Sequence, residues 1–269
     1  MTTMTTPLTT GTPAATWLRA LHAPARPRVR LVCFPHAGGA ASFFRAWPGR
    51  LSPDTEVLAV RYPGREDRIA DAPVTSMAAL ADPVAAALGE LPEVPTAFFG
   101  HSMGASVAYE VALRLGGSAR GPRLLMVSGR AAPHRLPVFR FDDDEALVAD
   151  VRRRGGPMAP ALDHPDLLDL VLPALRADYR LLEAYAGEAR LRRLGVPVAA
   201  FYGTQDSDVP VDSVLSWADT SPGAFSAVPF PGDHFYLVPH ADALLEEVGA
   251  RLTALAGALA SPLPGRPGA

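Results

Sequence analysis

A mostly parallel β-sheet with helices on both faces, the α/β class, is the architecture the sequence predicts, on three observations. Short apolar, strand-like runs recur along the chain, stretches with apolar residues at helical spacing alternate with them, and most runs end in loops rich in Gly, Pro and Asp. Such alternation builds parallel sheets, because a parallel pair needs a long crossover and a helix usually supplies it. The 269 residues suffice for one large domain, and signals almost throughout favour one over two.

The Thr-rich head, residues 1–16, has no periodic apolar face and is expected to be disordered, as is the Pro- and Gly-rich tail, 261–269. The domain is read as 17–260. Residues 29–34 read as a strand closed by Pro35-His36-Ala37-Gly38-Gly39, with a helix over 40–51. Residues 56–62 read as the next strand, 63–68 as its loop, and 76–91 as a helix with Met77, Leu80, Val84, Leu88 and Leu91 on one face. Further strands are expected at 95–99, 123–128, 196–202 and 224–229, and further helices at 106–115, 211–218 and 241–259. From about 130 to 194 the alternation lapses. There Asp142-Asp143-Asp144 offers a cap for a helix at 145–153, and 167–185 has helical spacing, with Pro173 as a kink point. We read this stretch as a helical lid inserted over the carboxyl edge of the sheet. Its apolar residues, Leu172, Leu175 and Tyr179 among them, suit an acyl channel, and ordinary helix packing accounts for the same pattern.

The chain is organised around Gly100-His101-Ser102-Met103-Gly104, where an apolar run meets a helix-favouring segment through Gly-x-Ser-x-Gly. A sharp strand-to-helix turn exposes a serine hydroxyl above the sheet, and the helix behind it supplies free N–H groups for an anionic intermediate. A Gly-rich turn of any α/β protein gives the same five letters, so order along the chain decides. Ser102, then Asp206 three residues after Gly203, then His234 after the last strand follow the order of an α/β-hydrolase triad. The fold class thereby narrows to the α/β-hydrolase fold. Ser102 is expected as nucleophile, His234 as general base and then acid, and Asp206 as the group that fixes the imidazole tautomer. Asp208 is the fallback for the acid and Asp212 a competitor, while Asp233 is assigned to local hydrogen bonding. The backbone amides of Ala37 and Met103 are expected as oxyanion donors.

Other chemistries find little support. A net charge of −3 and 48% hydrophobic residues suggest neither disorder nor polyanion binding, so no nucleic acid is expected. All 25 basic residues are arginine, which we read as coding bias. The single Cys33, in a strand-like run, reads as a buried core thiol rather than a nucleophile. No metal-ligand spacing and no phosphate-cradling Gly-x-x-x-x-Gly-Lys occurs, so neither metal nor cofactor is expected. With no membrane-length apolar run and no signal pattern, a cytoplasmic protein, monomeric by default, is expected.

Several segments together carry a resemblance: Phe34-Pro35-His36-Ala37-Gly38-Gly39, Tyr62-Pro63-Gly64-Arg65 with Arg68, Phe99 to Ala105, Gly203-x-x-Asp206 and Phe230-Pro231-Gly232-Asp233-His234-Phe235. In these the chain resembles the type II thioesterases of polyketide and nonribosomal peptide assembly lines. The resemblance implies hydrolysis of acyl thioesters on the phosphopantetheine arm of acyl or peptidyl carrier proteins, clearing stalled or misprimed chains. Carrier proteins are commonly acidic, which makes Arg65, Arg68 and the arginines of 152–154 and 190–193 candidate contacts. A serine esterase or lipase, an acyltransferase and a non-catalytic binding protein on the same scaffold are the competing readings.

Overall fold

The computed structural model describes residues 11–258. Seven strands form one sheet in the order β1-β3-β2-β4-β5-β6-β7, where β1 is Leu18–His22, β2 Val29–Phe34, β3 Thr55–Val60, β4 Thr96–His101, β5 Leu124–Ser128, β6 Val198–Gly203 and β7 Phe225–Phe230. All neighbours pair in parallel except β1, which runs antiparallel to β3 at the edge. This edge strand was not foreseen: Leu-Arg-Ala-Leu-His has no β-branched residue, and it is a strand because β3 offers it a partner.

Side chains of alternating residues leave the sheet on opposite sides. Val32 and Phe34 join the layer containing helices α2 (Met77–Gly89) and α3 (Met103–Arg114), whereas Leu31 and Cys33 join that of α7 (Ala241–Ala258). Cys33 is fully buried, and burial pushes its thiol pKa up, in keeping with the core reading. The helix expected over 40–51 is two 3₁₀ turns, Ala41–Phe44 and Trp47–Arg50; Pro48 and Gly49 interrupt helical propensity, while Phe44 and Trp47 are buried against Phe99. Residues 13–16, assigned to a disordered head, belong to helix α1 (Pro13–Trp17). Thr12 caps it by accepting the Ala15 N–H at 3.2 Å, Pro13 suits its first turn, and Ala14 is buried. The rest of the expected head, 1–10, and the tail, 261–269, lie outside the described residues.

Between β5 and β6 stand α4 (Asp144–Arg154) and α5 (Pro165–Glu188), which runs through Pro173. Asp143 caps α4 by accepting the Ala146 N–H at 2.8 Å, from within the acidic run that suggested it. Helix α6 (Val211–Leu215) follows β6 and gives way to a 3₁₀ turn, Ser216–Thr220. No helix among the described residues is long and apolar enough to cross a membrane.

Candidate active site

Ser102 sits between β4 and α3 with φ 53° and ψ −118°, a backbone conformation that L residues rarely adopt. Its N–H donates to the Ser128 carbonyl at 2.8 Å, which ties the turn to the end of β5. The flanking glycines are steric requirements. A Cβ on Gly100 would overlap the Gly104 carbonyl, and one on Gly104 the Phe34 carbonyl at the end of β2. The same crowding brings Pro35 to the start of α3, so the segment holding Ala37 lies beside the one holding Met103.

Asp206 and His234 leave the ends of β6 and β7 on loops that are stitched together. The Thr204 N–H donates to the Phe230 carbonyl at 2.9 Å and the Gln205 N–H to that of Gly232 at 2.8 Å. Gly203 allows the approach, since a Cβ there would overlap the Asp233 carbonyl. His234 Nδ1 lies 2.7 Å from Asp206 Oδ2, and its Nε2 lies 3.0 Å from Ser102 Oγ. With Nδ1–H donating to the carboxylate, Nε2 is left to accept the serine proton. The His234 and Asp206 side chains are 5% and 1% exposed, so the relay is shielded from water. The other aspartates fall elsewhere: Asp208 donates its N–H to Asp206 Oδ1 at 3.0 Å and spends its carboxylate on Arg153 and Arg154. Asp212 is exposed at the start of α6, and Asp233 accepts the Phe235 N–H at 2.9 Å.

The loop after β2 makes a turn in which the Gly39 N–H donates to the His36 carbonyl at 2.9 Å and Gly38 takes φ 72°. Glycine is the residue for that place, the third of a type II turn. Met103 is the first residue of α3, so its N–H has no partner within the helix. The two expected oxyanion donors are thus one turn amide and one helix-terminal amide on adjacent segments.

Two further histidines line the site, and neither was singled out for it. His101 is fully buried, with Nδ1 2.9 Å from Ser128 Oγ, itself 2.6 Å from the Tyr236 hydroxyl; its ring centroid lies 5.1 Å from that of His234. The His36 ring packs edge-on against Phe43 and Phe235. Burial, then the charge of His234, pushes both pKa values down, His36 to about 3 and His101 well below the ordinary value. Near neutral pH both rings are therefore uncharged.

The lid lies directly on this site. A Cβ on Gly38 would run into Met158 and Leu175, and one on Gly156, in the loop after α4, into the Phe235 ring. Leu175 and Tyr179 are buried in a separate apolar cluster with Leu147, Val148, Val151 and Leu162, and the Tyr179 hydroxyl donates to Asp150 Oδ2 at 3.2 Å. In this closed arrangement both are packing residues. Leu172 stays half-buried at the cluster's margin. The surface role expected of Arg65 is corrected. Its guanidinium is buried and grips Asp178 of α5 through two bonds of 2.8 Å, a partner 113 residues away that spacing does not reveal. Arg68 is engaged too, stacked 4.4 Å above the Trp17 ring and donating to the Arg61 carbonyl.

A family model described as a thioesterase domain matches residues 29–252. A protein of Streptomyces griseus named probable cadicidin biosynthesis thioesterase is 41% identical over 241 residues, 89% of this chain and 66% of that protein. Thioesterase PikA5 of Streptomyces venezuelae is 40% identical over 247 residues, 90% of this chain and 87% of that one. Among solved structures, the type II thioesterase BorB from the borrelidin biosynthetic cluster superposes with a TM-score of 0.79 at 35% identity, covering 88% of this chain and 98% of that one. A serine, a histidine and an aspartate gathered at the edge of an α/β-hydrolase sheet thus accompany a match over most of the chain, which belongs to the thioesterase family.

Proposed function

We propose that this protein hydrolyses acyl thioesters carried on the phosphopantetheine arm of acyl or peptidyl carrier proteins, removing aberrant chains in polyketide or nonribosomal peptide biosynthesis. The single observation that carries the reading is His234 bridging Ser102 Oγ at 3.0 Å and Asp206 at 2.7 Å. The pathway context rests on relatives named for cadicidin and borrelidin biosynthesis. In this scheme Ser102 Oγ attacks the thioester carbonyl as its proton passes to His234 Nε2, and Asp206 stabilises the imidazolium. The amides of Ala37 and Met103 hold the oxyanion. Collapse breaks the C–S bond, and the departing sulfur leaves with the His234 proton; a thiol with a pKa of about 8.5 needs less protonic help than an alcohol. Water, activated by His234, then attacks the acyl-serine, and acid and free enzyme result.

The test is mass spectrometry of a panel of acylated carrier proteins. Wild type is expected to return the free phosphopantetheine arm, while Ser102→Ala leaves the acyl group in place. Equal loss with both proteins, or loss with neither, would remove the proposal. Rates on the matching oxygen ester, expected to be lower, separate it from an esterase.

A further inference from the structure

Asp178 lies on lid helix α5, yet its carboxylate completes the loop after β2: Oδ2 accepts the Gly38 N–H at 2.7 Å. Arg65, on the loop after β3, closes the arrangement. Its Nη1 donates to Asp178 Oδ2 and its Nη2 to Oδ1, each at 2.8 Å, and Nη1 also donates to the Gly39 carbonyl at 3.0 Å. The two side chains are 10% and 4% exposed. A carboxylate enclosed to this degree is tolerated because a fork of matching geometry neutralises it. Burial alone lowers the pKa of Arg65, and the Asp178 charge overrides this and raises it, so the guanidinium stays charged.

What the pair holds is a peptide orientation. A type II turn differs from type I in the direction of its central peptide, here the one joining Ala37 to Gly38, whose N–H the carboxylate receives. Rotating that peptide would leave an enclosed carboxylate facing a carbonyl. The Ala37 N–H sits on the preceding peptide, so the pair acts on it by anchoring the two residues that follow, at the Gly38 N–H and the Gly39 carbonyl. With Ala37 as an oxyanion donor, the reading on which this step rests, we infer that Asp178 and Arg65 are positioning residues for the oxyanion hole, supplied in part by the lid, so that the hole is fully formed only when α5 is seated.

The experiment compares Arg65→Met/Asp178→Asn with Arg65→Met/Asp178→Ala, both free of an unpaired buried charge. Asparagine can still accept the Gly38 N–H; alanine cannot. Two rates are read: turnover of an acyl-N-acetylcysteamine thioester, and phosphonylation of Ser102 by a fluorophosphonate, which needs an oxyanion hole whatever the natural substrate. The alanine pair is expected to fall about 10- to 100-fold below the asparagine pair in kcat and in labelling rate, below the loss for deleting a donor outright, with KM little changed. Equal rates for the two double variants would overturn the inference, as would a loss confined to KM. Exchange of the Gly38 amide in the wild-type protein gives a reading that needs no variant to fold: slow exchange is expected, and loop-like fast exchange would overturn it. If carrier-bound thioesters are not turned over but labelling still splits, the carrier reading fails and the positioning role stands.

Discussion

At the sheet edge, backbone lies on backbone: Gly100 against Gly104, Gly104 against the end of β2, Gly203 against the histidine loop, with no room for a Cβ at any of them. The lid meets the same edge through apolar contacts, Met158 and Leu175 over Gly38, and also through charge. Arg153 and Arg154 reach Asp208 beside the acid loop at 2.8 and 3.3 Å, and Asp178 reaches Arg65 and the Gly38 amide. The contrast teaches that the proposed reacting groups are set by close packing, whereas the cover adds polar links, of which the partly exposed Arg153 and Arg154 pairs can open and reform and the enclosed Arg65–Asp178 pair cannot do so cheaply.

That contrast can be broken at several points. The largest effect is expected at the proposed nucleophile: Ser102→Ala should lower kcat on the order of 10⁴-fold or more, and Asp206→Asn by a comparable factor, while Asp208→Asn, touching only the lid arginines with its side chain, should stay within a few-fold. Steady-state kinetics on one thioester compares all three. Gly104→Ala should cost about 4 kcal/mol or more in urea unfolding, because the Phe34 carbonyl cannot yield to a Cβ without moving β2.

Acid probes the packed edge differently. His36, with a folded pKa near 3 against about 6.5 unfolded, stays neutral while the unfolded chain takes a proton, so stability falls as pH drops from about 6.5 toward 3. Between pH 6.5 and 5 its share is about 2 kcal/mol, and in His36→Gln the difference in unfolding free energy between those pH values should shrink by about that much. The smallest effect belongs to the lid. Its Asp208 pairs are worth up to about 1 kcal/mol each, so 1 M salt should speed amide exchange in α4 and leave β4 unchanged.

The order Ser102, Asp206, His234 was legible because each side chain follows a strand whose apolar run is visible, and the loops of a parallel sheet meet at one edge. Strand β1 was not legible, since its pairing with β3 is tertiary information. The two helix caps of the lid and first helix illustrate the same divide: Asp143 stood before an obvious helical segment, whereas Thr12 lay in a threonine-rich stretch where nothing marked one residue as a cap. Arg65 was misread because an arginine in a Gly-Pro loop looks solvated, and the carboxylate that buries it lies 113 residues further along, on α5. Whether Leu175 and Tyr179 pack or line a channel was equally undecidable from spacing, because both roles ask for apolar residues on one helix face.

The positive φ of Ser102 has a consequence for how this sequence can drift. A non-glycine residue held there costs about 1–3 kcal/mol, so Ser102→Gly should melt higher than the parent while losing its proposed nucleophile. Selection for thermal robustness alone would thus erase the hydroxyl first, and a tougher, silent descendant lies one codon change away.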